Sequence, residues 1–146
     1  NDYMPKHTVD MVEKALKDSG LSMANAKVAV LGAAYKGGVD DTRESPAKYV
    51  VRGLLDRGAR VVVYDPYTGE SFGAERASSL EEAVKGAYVI VIVTDHPEFK
   101  SIDLGAIAKL AKYRILVDGR RVIEPHQATK HGFKYYGIGY GRVFKL

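Results

Sequence analysis

The sequence predicts an α/β fold, a Rossmann-like doubly wound, mainly parallel sheet preceded by an amphipathic helix. Three observations carry the prediction. Short apolar runs rich in β-branched residues, KVAVLG (27–32), RVVVYDP (60–66), AYVIVIVTDHP (87–97) and RILVDG (114–119), look like strands buried on both faces. Segments with helical spacing and recognisable caps lie between them. Such alternation implies a parallel sheet covered by helices on both sides and joined by right-handed crossovers.

The elements follow in order. NDYMPKHTVDMVEKALKDSG (1–20) sets Pro5 where a first helical turn tolerates it, then Val9, Val12, Ala15 and Leu16 along one face, and Gly20 where a C-cap belongs. The first strand, Lys27 to Gly32, is followed by the long connection GAAYKGGVDDTRES before Ser45-Pro46 opens a second helix. Ser45 suits the N-cap and Pro46 the first helical position; Val50, Val51, Leu54 and Leu55 form the expected buried face and Gly58 the stop. A strand from Arg60 to about Asp65, a polar loop and a short helix over Leu80 to Lys85 come next. Val89 to Val93 is the strongest strand signal, ended by Asp95, His96 and Pro97. Asp103 caps a helix to about Ala111, RILVDG supplies a fourth strand, Pro125 to Lys130 a short helix, and Phe133 to Tyr136 a last short strand leading into GIGYGR.

Bulk composition narrows the function classes. The chain has 146 residues, enough for one domain with a sizeable core. Its 22 Lys and Arg against 18 Asp and Glu give a formal charge of +4, interspersed rather than blocked. No basic stretch is interleaved with stacking aromatics, so an anionic small ligand is expected and nucleic acid is not. The absence of cysteine excludes a disulfide framework, a Cys-ligated metal and a thiol nucleophile within this chain. No apolar run approaches the roughly 20 residues of a membrane span and no signal-peptide layout opens the chain, so the expected setting is cytoplasmic, without a membrane partner. The chain starts at Asn1 without an initiator Met, and we expect a piece of something longer. The one expected boundary falls near residue 24: 1–24 as helix and linker, 25–146 as the α/β body.

In open α/β sheets ligands sit outside the carboxyl ends of the strands, where strand order reverses. The residues following the strands therefore matter: 32–44, 65–67, 94–96 and 118–121. Connections between a strand and a helix usually take roughly 2–6 residues, so a loop of this length after the first strand is expected to bind something. Lys36, Arg43, Arg120 and Arg121 can converge on one anion, Arg gripping phosphate through paired hydrogen bonds and Lys acting as a point charge; a nucleotide diphosphate is the natural candidate. GAAYKGG is not the G-x-G-x-x-G of a dinucleotide turn. Asp65 reads as a turn starter more readily than as a ribose-binding acid, and Asp40 or Asp41 as a loop-fixing partner of Arg43 rather than a metal ligand. His7, His96, His126 and His131 are scattered among polar neighbours; none is assigned catalysis, and no metal site is expected.

KVAVLGAAYKGGVDDTRESPAKYVVRGLLDRGARVVVYDPY (27–67) closely resembles the start of the C-terminal, UDP-binding domain of the UDP-glucose/GDP-mannose dehydrogenase family. The family pattern there is roughly G-x-[AG]-[FY]-K-x-x-[TV]-x-D-x-R-E-S-P. VIVTDHPEF (91–99) and LVDGRRV (116–122) look like later landmarks of the same domain, and NDYMP like the end of the helix arriving from the central domain. Such enzymes oxidise the C6 alcohol of a nucleotide sugar to a carboxylate with two NAD, through a thioester-level adduct on a central-domain cysteine. The resemblance implies that Tyr35, Lys36 and Arg120 contact the UDP-sugar. It further implies that Arg43 reaches NAD held mainly by the N-terminal domain, that this chain alone is non-catalytic, and that the full-length enzyme is a homo-oligomer. Tyr35 stands for the commoner Phe, and Gly37 to Val39 for a more usual Pro- or Asn-containing segment. Met4-Pro5 resembles members acting on UDP-N-acetylhexosamines, which orders the expected substrates as UDP-N-acetylmannosamine, UDP-glucose, then GDP-mannose. The rival readings are a free-standing nucleotide-binding or oligomerisation module without catalysis and an autonomous NAD-binding domain.

Overall fold

The structure, a computed structural model, describes residues 3–139 and 142–145. Helix α1 (Tyr3–Asp18) leads into β1 (Lys27–Leu31), α2 (Pro46–Asp56), β2 (Arg60–Tyr64), β3 (Glu75–Arg76), α3 (Leu80–Val84) and β4 (Val89–Ile92). Then follow α4 (Pro97–Lys100), α5 (Leu104–Leu110), β5 (Ile115–Asp118), α6 (Pro125–Lys130), β6 (Lys134–Gly139) and β7 (Arg142–Lys145). The strands form one sheet in the order β3-β2-β1-β4-β5-β6-β7, parallel throughout except for the antiparallel β6–β7 pair. This is the expected Rossmann-like doubly wound sheet, and it reverses direction between β1 and β4.

Period-two alternation divides each strand between two cores. Val28, Val30, Val61, Val63, Val89, Val91 and Val117 face α1 and α2. Ala29, Leu31, Val62, Ile90, Ile92 and Leu116 face α3, α4, α5 and α6. The helices begin where their caps dictate. Ser45 accepts the Ala47 amide with Pro46 in the first turn, Ser79 accepts from Glu82, Asp103 from Ala106 and Glu124 from Gln127.

The apolar stripe of α1 is buried as its spacing predicts, with Val9, Val12, Ala15 and Leu16 all in the core beside α2. Gly53 of α2 admits the Val9 side chain; a Cβ there would lie 2.9 Å from Val9 Cγ2. Arg57 adds ion pairs to Asp10 at 2.7 Å and Glu13 at 2.9 Å. Each large apolar side chain that is fully buried contributes about 1.5–3 kcal/mol, against about 0.2–1 kcal/mol for a solvent-exposed ion pair. Packing therefore holds α1 in place, and the Arg57 ion pairs add a smaller contribution. Leu55, expected in the core of α2, is 37% exposed; the buried face of that helix is Ala47, Val50, Val51 and Leu54. No helix among the described residues is long and apolar enough to cross a membrane.

Candidate functional site

The crevice opens where β1 and β4 part. At its floor Gly32, with φ 118°, presses on Thr94 so closely that any Cβ would collide with the threonine side chain and its backbone nitrogen. Thr94 Oγ1 donates to the Ala34 carbonyl at 2.9 Å, so the β1 loop starts locked onto the end of β4.

Three aspartates at strand tips then shape the surrounding loops. Asp65, at the end of β2 with its side chain fully buried, accepts the Ala33 and Ala34 amides on Oδ2 at 2.8 and 3.1 Å and the Tyr67 amide on Oδ1 at 2.7 Å. The turn reading of Asp65 holds, and the residue does more: it anchors the β1 loop as well as its own. Asp118, at the end of β5 and wholly buried, accepts the Arg120, Val122 and Ile123 amides and the Tyr135 hydroxyl, the last at 2.9 Å. Burial first, then the Asp118 charge and hydrogen bond, push the Tyr135 phenol far above its ordinary range. The turn that presents Arg120 is thus folded back on one carboxylate, and Arg121 takes up a left-handed φ of 55° beside it.

Asp95 joins the two sides. Its Oδ1 accepts the Gly37 amide at 2.7 Å, and its Oδ2 lies 3.6 Å from the Arg120 guanidinium. The loop residue next to Lys36 and the cation from the tip of β5 therefore meet on one carboxylate at one end of the sheet. Lys36 itself is exposed, 5.5 Å from the centroid of the Tyr35 ring, and makes no ion pair among the described residues. Tyr35 is 39% exposed beside it, its amide held by the Asp41 carbonyl. Arg43 has a partner of its own. Its side chain is 88% exposed and grips Asp41 through two bonds, Nε to Oδ1 at 3.0 Å and a terminal nitrogen to Oδ2 at 2.7 Å. The guanidinium holds the Asp41 carboxyl down at about 2. This is the loop-fixing pair expected for one of the two adjacent aspartates.

Sequence reasoning missed His96. Its neighbours in sequence are polar, yet the ring is completely buried, stacked against Tyr67 at 4.5 Å and edge-on to Phe99 at 5.5 Å. Nε2 lies 2.8 Å from Asp65 Oδ2, and Nδ1 accepts the Gly38 amide at 3.0 Å. The available signal was an acid at or just past the end of β2, β4 and β5, Asp65, Asp95 and Asp118, each placed to pin a loop. Three grooves lie elsewhere, about 370 Å³ between α1 and α2, about 360 Å³ bordered by Gly105, Arg114 and His131, and about 300 Å³ bordered by Asp103, Ile123 and His131, none touching Lys36 or Arg120.

The crevice does not fit a dinucleotide bound in the usual Rossmann manner. The backbone amides that follow β1, which in a glycine-rich turn face a pyrophosphate, are here already taken by Asp65, and the same carboxylate is no longer available to a ribose hydroxyl. What the loops offer an anion is side-chain charge from Lys36 and Arg120.

A Rossmann-like domain whose first turn spends its amides on Asp65 and whose loops carry exposed cations defines the class. The chain belongs to the UDP-glucose/GDP-mannose dehydrogenase family, whose UDP binding domain matches residues 29–125. It is 41% identical over 143 residues to the UDP-N-acetyl-D-mannosamine dehydrogenase of Pyrococcus horikoshii, covering 98% of this chain and 32% of that protein. It is 37% identical over 134 residues to the UDP-glucose 6-dehydrogenase of Rhizobium meliloti, covering 88% and 31%. Among solved structures, the NDP-N-acetyl-D-galactosaminuronic acid dehydrogenase of Methanosarcina mazei superposes with a TM-score of 0.88 at 36% identity, over 94% of this chain and 30% of that one. The chain spans about a third of the length of the curated relatives it matches.

Proposed function

We propose that this chain holds the UDP moiety of a nucleotide sugar within an NAD-dependent 6-dehydrogenase that oxidises the C6 alcohol to a carboxylate. In this reading residues 25–146 bind substrate and 1–24 are the end of the connecting helix with its linker. Lys36 and Arg120 neutralise the diphosphate and Tyr35 packs against the bound nucleotide. Arg43, held on Asp41, meets the phosphate of NAD held by another part of the longer protein. The chain contains no cysteine, so it contributes binding, and the thioester-level chemistry falls to residues outside it. The reading carries with it a cytoplasmic setting and homo-oligomeric assembly of the longer enzyme.

The observation that supports it is the Asp95 carboxylate shared by the Gly37 amide and Arg120, which joins the β1 loop to the β5 tip. UDP-N-acetylmannosamine is the proposed substrate, supported by the relatives named for that activity and by Met4-Pro5; the Rhizobium relative supports UDP-glucose as the second reading. Calorimetry on the 146-residue chain separates these from an autonomous NAD-binding domain and from an oligomerisation module, and the upstream reading frame, with or without a glycine-rich turn and a cysteine-bearing segment, separates them from a free-standing nucleotide-binding module. UDP binding in the high-micromolar to millimolar range without NAD binding is expected. NAD binding without UDP binding would favour an autonomous dinucleotide domain, and neither ligand binding to the folded chain would leave only the non-catalytic module.

A further inference from the structure

His96 is the one fully buried histidine among the described residues, and nothing in the binding reading above uses it. Its partners fix its protonation. The Gly38 amide is a donor, so Nδ1 must offer a lone pair; Asp65 is an acceptor, so Nε2 must carry the proton. The ring is therefore neutral and of one tautomer, assigned by its hydrogen bonds. It bridges the anchor of the β2 turn to the β1 loop two residues beyond Lys36, while its own backbone belongs to the loop after β4. Phe99 from α4 and Tyr67 from the β2 loop clamp the ring in place, and Tyr67 is itself tied by its hydroxyl to Glu98 at 3.1 Å.

We propose that His96 is a positioning residue for the nucleotide sugar: its Nδ1 holds Gly38, and its Nε2 on Asp65 keeps that lone pair aimed, so that Tyr35 and Lys36 are set before ligand arrives. The inference deepens the UDP-binding reading and rests on it. A loop left free must be ordered on binding, and that cost appears in the dissociation constant. A purely structural histidine would affect folding stability and leave ligand affinity and loop order alone.

Two substitutions separate the two ends of the ring. In His96→Asn the side-chain oxygen takes the place of Nδ1 and can still accept from Gly38, while Asp65 loses the imidazole donor and keeps its three amides. In His96→Gln the amide nitrogen can reach Asp65, and Gly38 loses its acceptor. The test uses the 146-residue chain with UDP as the probe, in three measurements: the nitrogen-15 signature of the His96 ring, amide hydrogen exchange at Gly37 and Gly38, and calorimetric UDP affinity. We expect a ring with Nδ1 unprotonated and Nε2 protonated, protected Gly38 exchange in the parent, and reduced but measurable protection in His96→Asn, whose acceptor remains without the aiming bond to Asp65. Loss of protection and roughly tenfold weaker UDP binding are expected in His96→Gln, the scale of one lost hydrogen bond. Protection and UDP affinity unchanged in His96→Gln would overturn the role of His96 alone, as would a ring protonated on Nδ1. No UDP binding by the parent chain, with the fold intact, would overturn both this inference and the reading beneath it.

Discussion

Gly37→Ala tests how the site is assembled without touching a charge. A Cβ at position 37 would lie 2.8 Å from Asp95 Oδ1 and closer still to the Asp95 carbonyl oxygen. Ordinary van der Waals contact begins at 3.4 Å, so the loop must retreat by at least 0.6 Å (3.4 − 2.8). The obstacle includes rigid backbone, so a rotamer change cannot absorb it. That retreat carries the Gly37 amide, now 2.7 Å from Oδ1, out to about the limit of a useful hydrogen bond. A bond to a charged acceptor contributes roughly 1.5–3 kcal/mol, less here because Asp95 is partly exposed. About 1–2 kcal/mol then separates the β1 loop from Asp95 and so from Arg120, which corresponds to roughly five- to thirtyfold weaker UDP binding. The same 1–2 kcal/mol should lower the melting temperature by only roughly 3–8 °C, leaving the chain folded at the assay temperature. The assay is calorimetric titration of the parent and Gly37→Ala chains with UDP, alongside thermal denaturation. Affinity within a factor of two of the parent would refute the claim that Asp95 couples the loop to Arg120.

Further outcomes follow from the same geometry. Asp65→Asn replaces an acceptor facing the Ala33, Ala34, Tyr67 and His96 donors with a group that must turn its NH₂ toward one set of them; a buried clash of donors costs about 2–4 kcal/mol, a fall of roughly 5–15 °C in melting temperature by calorimetry. Asp41, held at about 2 by Arg43 against an ordinary 3.8, should stay ionised in the folded chain well below the usual range. The contribution of that pair is complete above pH 3.8 and lost as pH falls through about 2, and the Asp41 carboxyl carbon-13 titration should show a midpoint that rises part of the way to normal in Arg43→Ala, which keeps the backbone amide bond from residue 43. Tyr136 is pushed up to about 12 by burial and its bond to Asp18, and Tyr135 higher still. Folding therefore favours both phenols in the neutral form, stability is full below pH 10 and falls as pH rises toward 12, and ultraviolet titration should show these two tyrosines ionising only as the chain unfolds.

Much of the fold was legible because several levels of the sequence agreed. Ser45-Pro46, Asp103 and Pro125 marked helix starts that the structure keeps, and β-branched runs marked strands β1, β2, β4 and β5. What escaped lacked a local signal. Strand β3 is two exposed residues, Glu75 and Arg76, made into a strand only by pairing with Val62 and Val63. Pro97 was read as a strand breaker, whereas it also occupies the first turn of α4. Strand β7, antiparallel to β6, follows the last strand the sequence suggested, which itself runs on to Gly139. In the site, the cations were visible because Lys and Arg at strand tips have few structural duties. The residues that aim them were not: Asp95, Asp118 and His96 act through partners as many as 58 positions away along the chain. His96 looked solvent-bound because burial is supplied by Tyr67 and Phe99, which only the tertiary fold brings to it.

The account stands on two cations from separate strand tips sharing one diphosphate, and the most direct measurement compares UDP with uridine as ligands of the parent, Lys36→Ala and Arg120→Ala chains. Each substitution should weaken UDP roughly ten- to hundredfold, the scale of a lost charged contact, while uridine, which carries no phosphate, binds all three chains alike. Equal losses for uridine and UDP, or undiminished UDP affinity in either variant, would contradict it.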